Sequence, residues 1–503
     1  MVCIVYTMSF IRKIKRGDSV YLAEVQNSWV DGKVVQKHIR YVGKEVDNKP
    51  FLTGAVERAS VDRVSIYGPL LVLDEIAKEL GLSSFLGEAG EYLLSLAYAH
   101  CVSPDGVYGL AQWYAKTEIA NLLDIPEVGY KKLLETIDAV DDPAGVQRRI
   151  FRRLKEVLNV SPSAYFYDLT NVYFYGLCCP LAKRGHNADG RTDPQIQIGL
   201  AVTQKEGLPI FHKVTEGHIF DARTLPDILG EIEEGEIRDV CLVWDRGVSS
   251  RLNIREARRL GYHVLCGLAL KGGLKKEADR LLGDDLVSMK HRVRLKNATF
   301  FVKKRRYVAE GIRGYLALCL NEKERQATHE RRYDAIDDAL RRLKERKPIK
   351  EGLRKYLHGR GINHRVLAEA EQYDGLSVVF SSRDLDEEDM VKGYFEKDRV
   401  EKSFRCMKSV LEMDKVRFWL ANRVRGHIFV CYLAYLLLSV LEYKLNGTGM
   451  TATTALETMS SMYRVYLTDP KSKNKFVKTV TLSKAQEEIL KRVNPRFLKN
   501  PSV

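Results

Sequence analysis

The chain has 503 residues, 45% of them hydrophobic and 29% charged, with 81 Lys/Arg against 66 Asp/Glu and a net charge of +15. Such length and composition exclude a disordered tail or a lone small module, and leave room for two to four domains with a large core. Nine cysteines with no Cys-x-x-Cys spacing fit neither a disulfide framework nor a zinc site, and suggest a reducing cytoplasm.

The N-terminus is apolar first and basic afterwards (Ile11 to Arg16), the reverse of a secretory signal. Residues 20–43 alternate apolar and polar about Asp31-Gly32, which predicts a β-hairpin with a type I′ turn. Residues 66–150 read as helical. Leu70, Leu71, Leu73, Ile76 and Leu80 make an apolar face, and Gly81 is a helix stop. This region reads either as a packing domain or as a helical DNA-binding domain.

From residue 164 the period changes. Ala164–Thr170 and Val172–Tyr175, then Ile196–Thr203 and Leu208–Thr215, are rich in aromatic and β-branched residues and predict a three-stranded antiparallel meander. A helical stretch follows at about 222–235. Asp239–Asp245 is an almost continuous apolar run, as in a strand buried on both faces. A helix at 249–260 and strands at Tyr262–Gly267 and Leu376–Phe380 complete the set. Between residues 290 and 360 there are 22 Lys/Arg and 9 Asp/Glu, a net +13. Charge this one-sided favours a polyanionic partner. The run Ile428–Leu441 is too short between His427 and Glu442 to span a bilayer and predicts a buried core helix.

The chemistry concentrates in Tyr394, Lys397, Glu401, Arg405 and Lys408. Steps of three, four, four and three residues would place all five on one face of one helix. Two further carboxylates stand out. Asp168 follows three aromatics on a strand, where an acid is costly without a cation or partner. Asp245 ends the buried fourth strand before Arg246-Gly247, where α/β sheets gather ligands. Read singly, Asp168 can end a strand, Asp245 can be a turn residue or cap, and Glu401 can pair with Arg405. Read together, they predict an oxygen-rich pocket for two hard divalent cations, Mg²⁺ or Mn²⁺, suited to phosphodiester chemistry. No Gly-rich loop ending in Gly-Lys-Ser/Thr, no His-Glu-x-x-His and no Gly-x-Ser-x-Gly is present, which argues against a nucleotide-driven motor, a zinc protease or a serine hydrolase. His212 and His218 read as packing or surface residues.

On these residues the chain resembles the DDE transposases of insertion sequences, of the IS-four and related types. Tyr394, Lys397, Glu401 and Lys408 match that family's tyrosine–arginine–glutamate–lysine signature, with lysine standing where arginine is usual. Lysine keeps the charge there but loses the bidentate fork. Asp168-Leu-Thr170 and Asp245-Arg-Gly247 are similar to its two aspartate motifs, and Arg184–Gln195 and Arg425–Phe429 to further family segments. The resemblance implies an α/β fold: a ribonuclease-H-like mixed sheet core with an insertion domain and a mainly helical N-terminal region. It implies a catalytic, metal-binding triad of Asp168, Asp245 and Glu401, cutting at the ends of a mobile element, and joining of the freed ends to target DNA by a homodimer on double-stranded DNA.

The expected boundaries are a small β-hairpin region at 1–50, a helical region at 51–155, a catalytic core at 160–275 and 371–445, a basic insertion at 276–370, and a C-terminal region at 446–503 with a possible part in dimerisation. Tyr394, Lys397, Arg405 and Lys408, with Lys303, Lys304, Arg305 and Arg306 of the insertion, are the expected DNA contacts. Residues 276–370 hold no tryptophan, so a DNA-hairpin route with a flipped base is not implied; Phe300, Phe301, Tyr307 or Tyr315 would have to serve. The expected location is cytoplasmic, with the nucleoid. Rival readings are a domesticated relative that binds DNA without cutting and a structure-specific nuclease without strand transfer.

Overall fold

The computed structural model describes residues 9–498 apart from 17–18, 31–32, 47–48, 53–58, 105–106, 126–128, 141, 177, 186, 188–189, 220–239, 284, 297, 360, 397, 470–472 and 474. The chain divides into two compact units. The first takes the described parts of Met1–Pro69, Lys116–Glu118 and Thr458–Val503. Strands β1 (Ser9–Arg16), β2 (Ser19–Val30), β3 (Lys33–Val46) and β4 (Lys49–Leu52) form an antiparallel sheet in chain order. The expected hairpin is the β2–β3 pair, closing at Val30 and Lys33; its turn at 31–32 lies outside the described residues. In the same unit, β5 (Ser60–Ile66) pairs with β17 (Tyr463–Thr468), which pairs with β18 (Lys475–Thr479). Glu118 is wholly buried. It is satisfied by Arg63 at 3.4 Å, Arg464 at 3.7 Å and the Tyr466 hydroxyl at 2.7 Å, as a buried carboxylate must be.

The second unit takes Leu70–Ala115 and Ile119–Glu457. The expected helix stop is observed: the first helix ends at Leu80, and Gly81 adopts φ 66°, a conformation that favours glycine. Helix Pro143–Leu158 starts with proline after Asp142, whose carboxylate accepts from the Gly145 amide at 2.8 Å, a capped N-terminus.

The main sheet has nine strands: β6 (Ala164–Tyr173), β7 (Gln195–Thr203), β8 (Pro209–Glu216), β9 (Cys241–Trp244), β10 (His263–Leu268), β11 (Arg292–Arg294), β12 (Thr299–Ala309), β13 (Ile312–Leu320) and β16 (Leu376–Ser381). Their order is β11-β12-β13-β16-β10-β9-β6-β7-β8. The predicted meander is β6-β7-β8, antiparallel throughout. The two aromatic runs flanking Asn171 make one strand. β9 pairs parallel to both β6 and β10. The helical stretch predicted at 222–235 lies outside the described residues. Segment 276–370 enters between β10 and β16, and its strands β11–β13 continue the main sheet through β16. It also holds a short hairpin, β14 (Leu357–His358) and β15 (Gly361–Ile362).

Helix Ala421–Lys444 is the spine of this unit. It is long and apolar enough to cross a membrane, but its residues from 426 to 441 are buried, as predicted for a core helix. It packs on helices Gly90–Val102 and Tyr130–Asp138 and on β8. At Gly426 a Cβ would collide with the Ile137 carbonyl, so glycine permits the close crossing. The hydroxyls of Tyr432 and Tyr435 meet the Ile210 carbonyl at 3.2 Å and Ser403 Oγ at 2.6 Å.

Candidate active site

Tyr167 of β6 is aligned with Trp244 of β9 in a parallel pair. Asp168 and Asp245 are the next residues along the two chains. They therefore leave adjacent strands at one level and toward one face, about 4.8 Å apart at the backbone. Trp244 is in turn aligned with Cys266 of β10, so Gly267 takes the third place on that level. Asp168 lies in mid-strand rather than at an end, and Asp245 directly follows β9.

The turn after Asp245 is tightly bonded. Its carbonyl accepts from the Val248 amide at 3.1 Å, and Ser249 Oγ reaches the Gly267 carbonyl at 2.5 Å. Trp244 Nε1 donates to Ser249 Oγ at 3.0 Å. These bonds lock the exit of the strand that presents the carboxylate.

The Tyr394 hydroxyl donates to Asp245 Oδ1 at 2.8 Å. The residue is only 5% exposed. Burial first, and then the Asp245 charge, push the phenol far above its ordinary value, so it remains a protonated donor. Gly267 makes room for it, since a Cβ there would collide with the Tyr394 hydroxyl.

This corrects one expectation. The five-residue stripe does not lie on one helix: helix Glu387–Phe395 ends at Glu396, whose amide bonds back to the carbonyls of Lys392 and Tyr394. A second helix, Asp398–Ser409, follows. Tyr394 is a buried partner of Asp245, with its hydroxyl engaged and its ring covered. Lys397 lies outside the described residues.

Glu401 is exposed on the second helix. That helix packs against β6 and β7, with Val400, Ser403, Phe404 and Met407 buried. Lys408, seven residues on and hence on the same edge, reaches the Asn171 carbonyl of β6 at 2.8 Å. Glu401 is thereby held on a helix fixed to the Asp168 strand. Among the described residues the three carboxylates do not fall within 4.8 Å of one another as a set; one group of metal-ligating side chains does, His100, His427 and Cys431. Arg405 is exposed on the Glu401 helix.

A family model for the transposase DDE domain matches residues 162–437, more than half of the chain. The chain belongs to the DDE transposase family. None of the curated proteins compared matches it. Among solved structures it resembles the piggyBac transposase synaptic complex with hairpin DNA, at 11% identity over 87% of this chain and 83% of that one, with a TM-score of 0.37. A TM-score of that size is too low to bear on fold or chemistry. The matched span contains Asp168, Asp245, Glu401 and the whole main sheet.

The basic strand residues of this transposase carry ion pairs that the sequence did not announce. Lys303 pairs with Asp285. Lys304 pairs with Asp384 at 2.7 Å and lies over the Tyr315 ring. Arg305 pairs with Glu277 at 2.7 Å. Arg306 is exposed. Three of these four expected phosphate contacts hold carboxylates of their own chain, because a paired strand brings its long side chains against acidic neighbours. Sequence reasoning did not find Gly267, Asn171 or Ser249. No local motif marks them; only the strand register brings them to the site.

Proposed function

We propose that this transposase cuts DNA at the ends of a mobile element and joins the freed ends to target DNA. The observation that carries the reading is the Asp168–Asp245 pair, on one level and one face of adjacent parallel strands inside the matched domain. The order β8-β7-β6-β9-β10, antiparallel in its first three strands and parallel in its last, supports a ribonuclease-H-like core, with 276–370 as an insertion continuing the sheet.

The donor set fits a divalent cation. Two carboxylates within one strand spacing, beside a phenol held neutral, form an all-oxygen site of the kind that Mg²⁺ or Mn²⁺ prefers. Asp168 and Asp245 would hold the metal, with Glu401 completing the set when DNA is bound. When present, such ions activate an attacking oxygen and steady a leaving one in phosphodiester transfer.

The protein's own part is positioning. Tyr394 fixes the orientation of Asp245. The 245–249 turn fixes its backbone. Lys408 ties the Glu401 helix to β6. Glu401 and Arg405 stand exposed, where a DNA strand can meet them, and the net charge of +15 favours that encounter. We take the working form on DNA to be a homodimer in the bacterial or archaeal cytoplasm.

The test uses DNA carrying the ends of the element, taken from the sequence flanking the gene. Metal-dependent nicking is expected, followed by joining of pre-cut ends to a second duplex. Nicking without joining would favour a structure-specific nuclease, and binding without nicking a domesticated relative.

A further inference from the structure

We propose a second metal centre, for a borderline-soft ion of the zinc type, built from His100, His427 and Cys431 in the helical core. Each offers one ligand atom, and these atoms all lie within 4.8 Å of one another. All three belong to the larger unit. His427 and Cys431 are four residues apart on helix Ala421–Lys444, the spacing that puts two ligands on one helical face. His100 comes from helix Gly90–Val102, which packs against it.

The distances suit one small ion. Zinc–sulfur and zinc–nitrogen bonds of about 2.3 and 2.0 Å at a tetrahedral angle place the two donors about 3.5 Å apart. Cys431 Sγ lies 3.9 Å from His427 Nε2, so closure needs only small side-chain rotations. The imidazole rings of His100 and His427 are centred 5.5 Å apart.

The surroundings are those of a ligand set. His100 Nδ1 meets the Leu411 carbonyl at 2.9 Å. Donation there fixes the tautomer and leaves the Nε2 lone pair as the one that can ligate, the outer-shell arrangement common to metal-bound histidines. The contact of His427 Nε2 with the Met413 carbonyl is long, at 3.4 Å, and competes weakly. His427 and Cys431 are buried and His100 is half-buried, so an ion held there would be shielded from water. An ion would supply the charge that lets the Cys431 thiol ionise.

The position gives the centre a purpose. Leu411 and Met413 lie just beyond helix Asp398–Ser409, which carries Glu401. An ion here would clamp that helix's exit to the two core helices. No local pattern marks it, because the three ligands are split between residues 100 and 431 and none lies in a Cys-x-x-Cys pair.

The experiment loads the full chain with Co²⁺ in the presence of excess Mg²⁺, which occupies oxygen sites. Expected are one tightly held cobalt per chain, tetrahedral d–d bands and a thiolate-to-cobalt charge-transfer band. The charge-transfer band should vanish in Cys431→Ser and persist in Asp168→Asn, and the protein as purified should contain zinc by elemental analysis. Absence of the band in the wild-type chain overturns the proposal whether or not the variants fold, as does a band that survives in folded Cys431→Ser.

Discussion

The Tyr394 hydroxyl reaches Asp245 because residue 267 carries no Cβ. Two expectations follow from that fit. Tyr394→Phe removes a donor to a proposed metal ligand, and should lower metal affinity or cleavage about 10–100-fold. DNA affinity without metal should be unchanged, since the ring is buried. A loss of DNA affinity with cleavage of bound DNA intact would restore the phosphate-contact role read from the spacing. Gly267→Ala should push the hydroxyl off Asp245 and cost about 1–3 kcal/mol in denaturant unfolding. Part of that cost should disappear in the double variant with Tyr394→Phe, which removes the nearest atom and leaves ring Cζ at 2.9 Å; additive effects would mean that the two residues do not share it. The sequence flagged Tyr394 but not its bond to Asp245. The run Glu396-Lys397-Asp398-Arg399 contains neither glycine nor proline, so nothing in it announces the break between two helices. Asp168 and Asp245 were legible because an acid among aromatics and β-branched residues is costly without a cation or partner.

At the scale of elements, helix Asp398–Ser409 is fixed at both edges. Ser403 meets the Tyr435 hydroxyl of the core helix, and Lys408 meets the Asn171 carbonyl of β6. Lys408→Met keeps the length but loses the charged donor. It should cost about 1.5–3 kcal/mol in urea unfolding and lower cleavage along with it. Unchanged stability would show that the helix does not depend on this tie. The strands that line the site were legible from composition: β6 to β10 and β16 fall where aromatic and β-branched runs predicted them. The pairing of β5 with β17 was not legible. It joins residues about 400 positions apart, and β5 is exposed along most of its length, so no core pattern marks it. The ion pairs of the basic strand were not legible either. Counting charges between 290 and 360 cannot show that Lys303, Lys304 and Arg305 turn to carboxylates at 285, 384 and 277.

For the whole molecule, burial makes stability depend on pH through His212. Stacked on Tyr432 and bonded to Gln147, it is held neutral, with its titration lowered to about 3. The unfolded chain binds the proton near pH 6.5, so the unfolded state gains protons first and stability falls as pH drops from there toward 3. The expected loss from this histidine between pH 6.5 and pH 5 is about 2 kcal/mol. Unfolding at pH 7 and pH 5 checks it: His212→Gln should remove this share of the slope and leave that of His427, which burial also lowers to about 3, and an unaltered slope would assign the dependence elsewhere. The central claim is that Asp168 and Asp245, neighbours on one level of the sheet, hold the metal that cuts DNA. Its most direct test is single-turnover cleavage of element-end DNA in Mg²⁺ by the wild-type chain and by Asp168→Asn and Asp245→Asn. The account predicts cleavage by the first and none by either variant, with DNA binding retained by all three. Cleavage by both variants at the wild-type rate would contradict it.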